Sequence, residues 1–234
     1  MIAGPNGSGK STLTAWLMSD YAVNFYTLLN ADDVFAHVKD TGAFFAPFPI
    51  DGEALAGYAA RTEYAEMEKN RFCSGEIAVD ADCVRFHSAE AVNSYTVALL
   101  VNFLQDECIN RGISFSQETV FSHPSKVAAL SKARDAGFRT YLYYVATEDP
   151  GINKERVAER YARGGHDVPP EKIVERYSRS IANVRLAIPH LSRAYFFDNS
   201  NAEMRYVASY SCDEGFAVHL QERMLPRWFM RILA

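Results

Sequence analysis

Long hydrophobic runs and an excess of basic residues are both missing from this sequence. No apolar run approaches the length of about 20 residues that a membrane-spanning helix needs, and no basic segment followed by an apolar one marks a signal peptide. The formal net charge is −5, so the sequence predicts no general affinity for polyanions such as nucleic acids. We therefore expect a cytoplasmic protein without membrane or nucleic-acid partners, in which any phosphate is bound by a local site.

Cysteine is also scarce, with four residues at irregular spacing: Cys73, Cys83, Cys108 and Cys212. This spacing fits neither a zinc site nor a redox C-x-x-C motif. We therefore expect reduced thiols in a cytosolic protein. Repeats and low-complexity segments are missing as well, and a hydrophobic content of 48% is enough to bury the core of one domain, or of one domain with a subdomain.

Short apolar stretches alternate with helical patterns along most of the chain. The predicted strands are residues 1–3, 25–29, 113–117, 140–146 and 194–197. The predicted helices are residues 11–19, 53–72, 88–110, 125–136, a helix that Asp149-Pro150 opens and Gly164-Gly165 ends, and residues 171–187. This alternation predicts βαβ units, a mostly parallel sheet and a three-layer α/β/α domain that spans residues 1–234.

Three segments are predicted to elaborate this domain. Residues 42–52 are rich in Pro, Phe and Gly, which favours an irregular loop, and the two helical patterns that follow predict a helical insertion at about 42–112. Residues 205–220 alternate well enough for a terminal β-hairpin, with Asp213-Glu214-Gly215 as its turn. Residues 150–187 form a predicted lid.

A complete phosphate-loop motif lies near the N-terminus. Gly4-Pro5-Asn6-Gly7-Ser8-Gly9-Lys10-Ser11 fits G-x-x-x-x-G-K-[ST], and Thr12 follows. The glycines permit a backbone whose N–H groups form an anion nest, and the helix that begins near Lys10 adds its positive end. Lys10 is predicted to reach the β- and γ-phosphates, and the Ser11 hydroxyl to ligate Mg²⁺. The position between a strand and a helix favours a nucleoside triphosphate site over a chance glycine-rich turn.

A pair of carboxylates follows the second predicted strand, in the segment Asn30-Ala31-Asp32-Asp33. Ligands of open α/β sheets bind at the carboxyl ends of strands. A carboxylate there can accept the proton of an attacking hydroxyl and orient it toward a γ-phosphate. Asp32 is the predicted base, Asp33 the predicted helix cap, and Asn30 and Asp33 are candidates for substrate binding. The alternative is a structural Asx turn or cap.

A second carboxylate ends the strand at Gln117-Glu118-Thr119. Glu118 is predicted to hold the acceptor hydroxyl or a water bound to Mg²⁺, and Thr119 to donate a hydrogen bond to the substrate. The alternative is a solvated strand end. A carboxylate after an apolar stretch is costly to bury without a partner, which favours the functional interpretation.

Arginines are concentrated on the two helices of the predicted lid. The first helix carries Arg156, Arg160 and Arg163 at a spacing that places them on one face, and the second carries Arg176, Arg179 and Arg185. We expect two or three of them to stabilise charge on a transferred phosphoryl group. The alternative is a solvated face with weak ion pairs to Glu155, Glu159, Glu171 and Glu175.

Together these residues resemble the zeta-toxin family of P-loop kinases, and most closely its small bacterial branch of predicted ABC-type ATPases. The resemblance rests on Gly4–Thr12, Asn30-Ala31-Asp32, Glu118-Thr119, Ala136-Gly137-Phe138, the string 163–169, the string 176–180, Asn183, and Asp198-Asn199-Ser200. Its most specific part is Gly164-Gly165-His166-Asp167-Val168-Pro169 with the downstream Arg176-Tyr177.

The resemblance implies a P-loop kinase fold that uses Mg²⁺ with ATP or GTP. Characterised zeta toxins phosphorylate the 3′-hydroxyl of the amino sugar in UDP-N-acetylglucosamine, so the resemblance implies a small-molecule acceptor such as a nucleotide sugar. Zeta toxins are restrained by a helical antitoxin, which implies a separate protein partner.

By motif position, the resemblance also implies roles for individual residues. Lys10 corresponds to the lysine of the phosphate loop, Asp32 to the base and Glu118 to the carboxylate that binds substrate. Arg160 and Arg176 correspond to the lid arginines, and Arg163 is a rival to Arg160.

Two other functions remain open from the sequence. One is a kinase for another acceptor, such as a dinucleotide or a polynucleotide end. The other is a nucleotide-dependent switch or ATPase that acts through a partner. An ABC-type ATPase should show its own signature motif and a strand with four apolar residues before Asp-Glu, and the sequence contains neither.

Overall fold

This computed structural model describes residues 1–61, 76–164 and 168–234. The strands are β1 (Ile2–Ala3), β2 (Thr27–Asn30), β3 (Ala43–Phe45), β4 (Ile77–Asp80), β5 (Cys83–Phe86), β6 (Phe115–Thr119), β7 (Tyr141–Ala146), β8 (Arg193–Asp198), β9 (Arg205–Ser211) and β10 (Gly215–Val218). The helices are α1 (Lys10–Asp20), α2 (Ala31–Thr41), α3 (Gly52–Arg61), α4 (Ser94–Asn110), α5 (Ser125–Asp135), α6 (Pro150–Ala162), α7 (Pro170–Ala187) and α8 (Arg227–Leu233).

The chain divides into two compact units. The first comprises Met1–Phe25 and Glu118–Ala234, and the second comprises Tyr26–Gln117. The predicted insertion falls within the second unit. The assignment of residues 1–234 to a single domain stays a prediction.

The first unit is built on a sheet with the strand order β10-β9-β8-β7-β1-β6. The pairs β1–β6, β1–β7 and β7–β8 are parallel, whereas β8–β9 and β9–β10 are antiparallel. The two residues of β1 therefore lie between two longer strands, with Ile2 opposite Tyr143 on one side and Glu118 on the other. This confirms the mostly parallel sheet and the terminal hairpin, and it directs the chain after Ala3 out of the middle of the sheet.

Both faces of this sheet are buried. Successive residues of a strand point to opposite faces, and Tyr144 and Val145 accordingly belong to two different core clusters. Tyr144 packs in one cluster with Tyr177 of α7, and Val145 packs in the other with Leu13 of α1. Helices on both faces of a mostly parallel sheet are the predicted three-layer α/β/α arrangement.

The C-terminal helix α8 was not predicted from the sequence. It has seven residues, too few to show a helical period. Trp228 and Phe229 are almost fully buried, and the Trp228 indole Nε1 donates to Asp198 Oδ2 at 2.9 Å. The same buried carboxylate accepts from Arg205 Nη2 at 3.0 Å, so the one carboxylate of Asp198 is bound by both the hairpin and α8.

The second unit contains α2, α3, α4, strand β2, which neighbours β6, and an antiparallel sheet of order β3-β5-β4. Its core includes Val38 of α2, Leu55 of α3, Val84 of β5 and Leu100 of α4. The two helices of the insertion were predicted, but the three short strands were not, and β3 lies in the segment predicted as an irregular loop. Strands of three or four residues are too short to show a clear alternation.

Several element boundaries differ from those predicted. Helix α4 begins at Ser94 and not at residue 88, because the side chain of Asn93 caps it. The predicted helix 53–72 is present up to Arg61, and its remainder lies outside the described residues. Strand β2 begins two residues later than predicted, because Tyr26 has a φ of 52° and cannot continue an extended strand. Among the helices in the described ranges, none is long and apolar enough to cross a membrane.

Candidate active site

The phosphate loop follows β1 directly and requires its glycines. Gly4 donates its amide to Thr119 O at 3.3 Å, and a Cβ on Gly4 would lie 2.0 Å from Val145 O. Gly7 and Gly9 have φ values of 72° and 95°, which side chains with a Cβ disfavour. The loop then enters α1 at Lys10 with Gly9 as its N-cap. The first N–H groups of an α-helix have no partner within the helix, and such a terminus favours anions.

Lys10 and Ser11 lie at the start of α1. Lys10 Nζ donates to Gly4 O at 3.1 Å and to Pro5 O at 3.2 Å, so the ammonium group lies over the loop. Ser11 Oγ donates to Glu118 Oε1 at 3.2 Å. Mg²⁺ prefers oxygen ligands, keeps several of its waters and uses only one or two carboxylates. The exposed hydroxyl and the carboxylate of this pair are a donor set that fits the ion.

Two asparagines that the sequence did not single out as site residues bind the loop. Asn153 Nδ2 donates to Asn6 O at 2.6 Å, and Asn199 Nδ2 donates to Ser8 O at 2.9 Å. Asn199 belongs to the motif Asp198-Asn199-Ser200 of the family resemblance. The only sequence signal for Asn153 is its position one turn before Val157, which makes it a polar residue on the apolar face of α6.

The arginines of the predicted lid differ in their surroundings. Arg156 is half-buried, and its Nη1 donates to Asn199 O at 2.8 Å. Arg179 forms an exposed ion pair with Glu175 at 2.6 Å, as the surface interpretation predicts. Arg160 and Arg163 are exposed at the end of α6, and Arg176 is half-buried on α7. Residues 165–167, which join the two predicted lid helices, lie outside the described residues.

The segment after β2 belongs to the second unit, and its helix cap is Asn30. Asn30 has an extended backbone, and its Oδ1 accepts from the Asp32 amide at 3.1 Å. The prediction that Asp33 is the cap is wrong, because α2 begins at Ala31 with no intervening loop and Asp33 is already inside its first turn. Asp33 Oδ2 instead accepts from Asn30 Nδ2 at 2.9 Å. Asp32 is exposed, and the cap uses its amide and not its carboxylate.

Thr119 ends β6 and shapes the following turn. Its Oγ1 accepts from the Phe121 amide at 3.1 Å, and Phe121 has a φ of 61°. Asn183 Nδ2 of α7 donates to Phe121 O at 2.9 Å. In this arrangement the Thr119 hydroxyl acts as an acceptor toward its own loop, so its predicted role as a donor to substrate stays a prediction.

The contact between Gly9 and Asn199 gives a first testable prediction. A Cβ on Gly9 would lie 2.3 Å from Asn199 Nδ2, whereas a Cβ on Gly137, with a φ of 85°, meets nothing within 4 Å. Both alanine variants should lose about 1 kcal/mol of unfolding free energy through backbone strain. Only Gly9→Ala should also displace the Asn199 amide and weaken nucleotide binding at least tenfold. Thermal unfolding and titration with ATP separate the two effects, and equal ATP affinity of the two variants would contradict the prediction.

The family model described as zeta toxin matches residues 80–204, which is more than half of the chain. The match includes Glu118 and the helices α6 and α7, and it begins after the phosphate loop. Among curated proteins, none matches the sequence significantly.

Three solved structures are similar to this chain at low sequence identity, and two of them, with TM-scores above 0.5, share its fold. A chain of the AvrRxo1-ORF1:ORF2 complex with ATP is 16% identical, with a TM-score of 0.51 over 93% of this chain and 59% of that chain. A chain of the same complex with sulphate ions is 17% identical, with a TM-score of 0.51 over 93% of this chain and 60% of that chain. A chain of the PezAT toxin–antitoxin system of Streptococcus pneumoniae is 13% identical, with a TM-score of 0.47 over 98% of this chain and 82% of that chain. The chain thus spans only 59–60% of the AvrRxo1 chains, and at these identities the likeness concerns the fold alone.

Proposed function

Because this chain belongs to the zeta toxin family, we propose that it is a kinase that transfers the γ-phosphoryl group of ATP or GTP to a hydroxyl group of a small molecule. The observation that carries the proposal is the phosphate loop, with Lys10 over it and the Ser11–Glu118 pair beside it. The acceptor that we propose is a sugar hydroxyl, such as that of UDP-N-acetylglucosamine or a related nucleotide sugar.

The donor nucleotide would be bound by the loop and the start of α1. Backbone N–H groups of the loop, such as those of Gly7 and Gly9, and of the first turn of α1 would surround the phosphates, and Lys10 would neutralise the β- and γ-phosphates. Ser11 would hold Mg²⁺, with Glu118 as a second ligand or as the acceptor of its water. Bound Mg²⁺ supplies positive charge to the phosphate oxygens. The Ser11–Glu118 hydrogen bond supports this metal-side role of Glu118 over direct contact with the acceptor.

The acceptor hydroxyl would be activated by Asp32. Its carboxylate would accept the hydroxyl proton as the new O–P bond forms and the bond to the leaving nucleoside diphosphate breaks. Asn30, Asp33 and Thr119 would orient the acceptor. Two features of Asp32 support the assignment: its side chain is exposed, and the cap of α2 does not depend on it.

The lid arginines Arg160 and Arg176, with Arg163 as the rival of Arg160, would stabilise the transferred group. Arg160→Ala and Arg176→Ala should lower turnover by more than they lower nucleotide affinity, because charge on the transferred group is largest in the transition state. Removal of one such donor typically costs about 3 kcal/mol of barrier, or roughly a hundredfold in rate. Steady-state kinetics with separately measured ATP dissociation constants would show this difference.

Arg179→Ala is the matched control, because Arg179 lies on the same helix as Arg176 and pairs with Glu175 on the surface. This variant should keep turnover within about twofold, since exposed ion pairs contribute little. Near-full turnover of both Arg160→Ala and Arg176→Ala would assign these arginines to the solvated face.

Nucleotide turnover with and without acceptors tests the proposal itself. A kinase should release ADP or GDP rapidly only when an acceptor is present, and a metabolite extract should then contain a molecule that has gained a phosphate group. Turnover that no acceptor stimulates would indicate a nucleotide-dependent switch or ATPase. Labelling of a dinucleotide or of a polynucleotide end, with no labelling of nucleotide sugars, would replace the proposed acceptor.

Membership of the family also supports a separate antitoxin as protein partner. The similar AvrRxo1 structures are complexes of two different gene products. Expression of the active chain in bacteria should then arrest growth, and co-expression of the cognate partner should restore it. Growth arrest by a Lys10→Ala variant that has no kinase activity would show that toxicity does not come from phosphoryl transfer.

A further inference from the structure

We propose that Asn153 and Asn199 are positioning residues that form an asparagine clamp on the phosphate loop. The clamp aims the amide groups of Gly7 and Gly9 at the bound phosphates. This inference rests on the proposed function, because it concerns the same nucleotide site.

In the Asn199 arm of the clamp, hydrogen bonds hold both the backbone amide and the backbone carbonyl of the residue. Its backbone amide donates to Ala146 O at 2.8 Å, and its carbonyl accepts from Arg156 Nη1 at 2.8 Å. From this fixed position its side chain donates to Ser8 O. A Cβ on Gly9 would lie 2.3 Å from the same amide nitrogen, so there is no room for a side chain there.

The Asn153 arm is oriented by a buried hydrogen bond. Asn153 is fully buried, and its Oδ1 accepts from the Thr147 hydroxyl. This bond leaves Nδ2 directed at Asn6 O. A Cβ on Gly7 would lie 2.6 Å from the backbone oxygen of Asn153, so each arm of the clamp packs against one loop glycine.

The geometry of the peptide unit explains what the clamp does. In a trans peptide the C=O of one residue and the N–H of the next point in opposite directions, and the described chain has no cis peptide bond. When Asn153 holds Asn6 O, the Gly7 N–H must therefore point to the other side of the loop. When Asn199 holds Ser8 O, the same holds for the Gly9 N–H. Two carbonyl groups are thereby kept away from the phosphates and two donors are presented to them.

The clamp also connects the loop to the lid helices. Asn153 and Arg156 both belong to α6, one on each arm. Tyr177 of α7 donates its phenol to Thr147 O at 2.6 Å, which holds the residue that orients Asn153. Burial raises the pKa of Tyr177, so its hydroxyl stays protonated and able to donate. The start of α6 is therefore bound to the phosphate loop.

Asn153→Asp and Asn199→Asp test the clamp at nearly constant side-chain size. Each replaces an amide donor by a carboxylate that repels the loop carbonyl. We expect the ATP dissociation constant to rise about tenfold or more in each variant, since a lost hydrogen bond to a buried group costs about 1–3 kcal/mol. We also expect faster hydrogen exchange of the amides of residues 6–9 in the nucleotide-free protein.

Asn183→Asp is the matched control. Asn183 is also a buried asparagine of the first unit that donates to a main-chain carbonyl, at Phe121 O, but it does not contact the loop. It should lose comparable thermal stability, keep its ATP dissociation constant within about twofold and leave loop exchange unchanged. This difference separates positioning of the loop from general destabilisation.

The outcomes distinguish the clamp from the proposed function. Folded aspartate variants with wild-type ATP affinity and wild-type loop exchange would overturn the clamp. If the wild-type protein binds neither ATP nor GTP, while loop exchange rises only in the clamp variants, the clamp stands and the proposed function fails. If the aspartate variants do not fold, the half-buried Arg156→Ala should raise the ATP dissociation constant severalfold and speed loop exchange, and no change in either would overturn the proposal.

Discussion

Replacing Lys10 by alanine is expected to abolish phosphoryl transfer and leave the fold intact. Lys10 Nζ donates to two carbonyl oxygens of the phosphate loop, and in the proposed site its charge acts on the phosphates and not in the core. In the proposed complex, loss of this cation would leave the charge on the β- and γ-phosphates to Mg²⁺, the lid arginines and the backbone N–H groups. Loss of one preorganised charge donor commonly lowers the rate by about 10² to 10³, and the loss of ground-state binding should reduce turnover further at moderate ATP concentration.

Three measurements check this result: the ATP dissociation constant, the rate of acceptor phosphorylation and the thermal unfolding midpoint. Lys39→Ala is the control, because Lys39 is an exposed lysine on α2 outside the loop. It should retain affinity and turnover. A folded Lys10→Ala variant with unchanged affinity and turnover would remove the central claim of a phosphate-binding loop.

The phosphate loop could be predicted because all residues of its motif are adjacent in the sequence. Gly4, Gly7 and Gly9 are required by close approach or positive φ, and Lys10 and Ser11 occupy the first helical turn that the motif specifies. The parallel strands were predicted for a similar reason, since β7 is a continuous apolar run buried on both faces. The phosphate loop and the parallel strands depend on residues that are neighbours in the chain, and both could therefore be predicted from the sequence.

Other parts of the site depend on residues that are distant in sequence. Asn153 Nδ2 meets Asn6 O across 147 positions and Asn199 Nδ2 meets Ser8 O across 191, so no local pattern indicates either contact. The short helix α8 is likewise stabilised by the burial of Trp228 and not by its own periodicity. The incorrect prediction of Asp33 as the helix cap has another cause. Asn30 and Asp33 are both good capping residues, and the choice depends on where β2 ends and α2 begins.

Asp32→Asn is the second change with a large expected effect, and it should separate binding from chemistry. Asparagine is nearly isosteric with aspartate, and Asn30 caps α2 through the backbone amide of residue 32, so the fold should survive. The amide cannot accept the hydroxyl proton, and acceptor phosphorylation should fall by roughly 10² to 10⁴, the usual contribution of general-base catalysis. ATP affinity should hold or rise slightly, because the proposed role of Asp32 would put its negative charge near the triphosphate and the substitution removes that charge.

Asp33→Asn is the matched control, because both aspartates are exposed in the first turn of α2. Its side-chain oxygen can still accept from Asn30 Nδ2, so it should cost far less than Asp32→Asn. Rapid-quench measurement of a single turnover, with ATP binding measured separately, gives the chemical step for both variants. An inactive Asp33→Asn with an active Asp32→Asn would move the base by one residue. If both variants stay active, these carboxylates are structural, and the kinase proposal then depends on the phosphate loop with its Ser11–Glu118 pair.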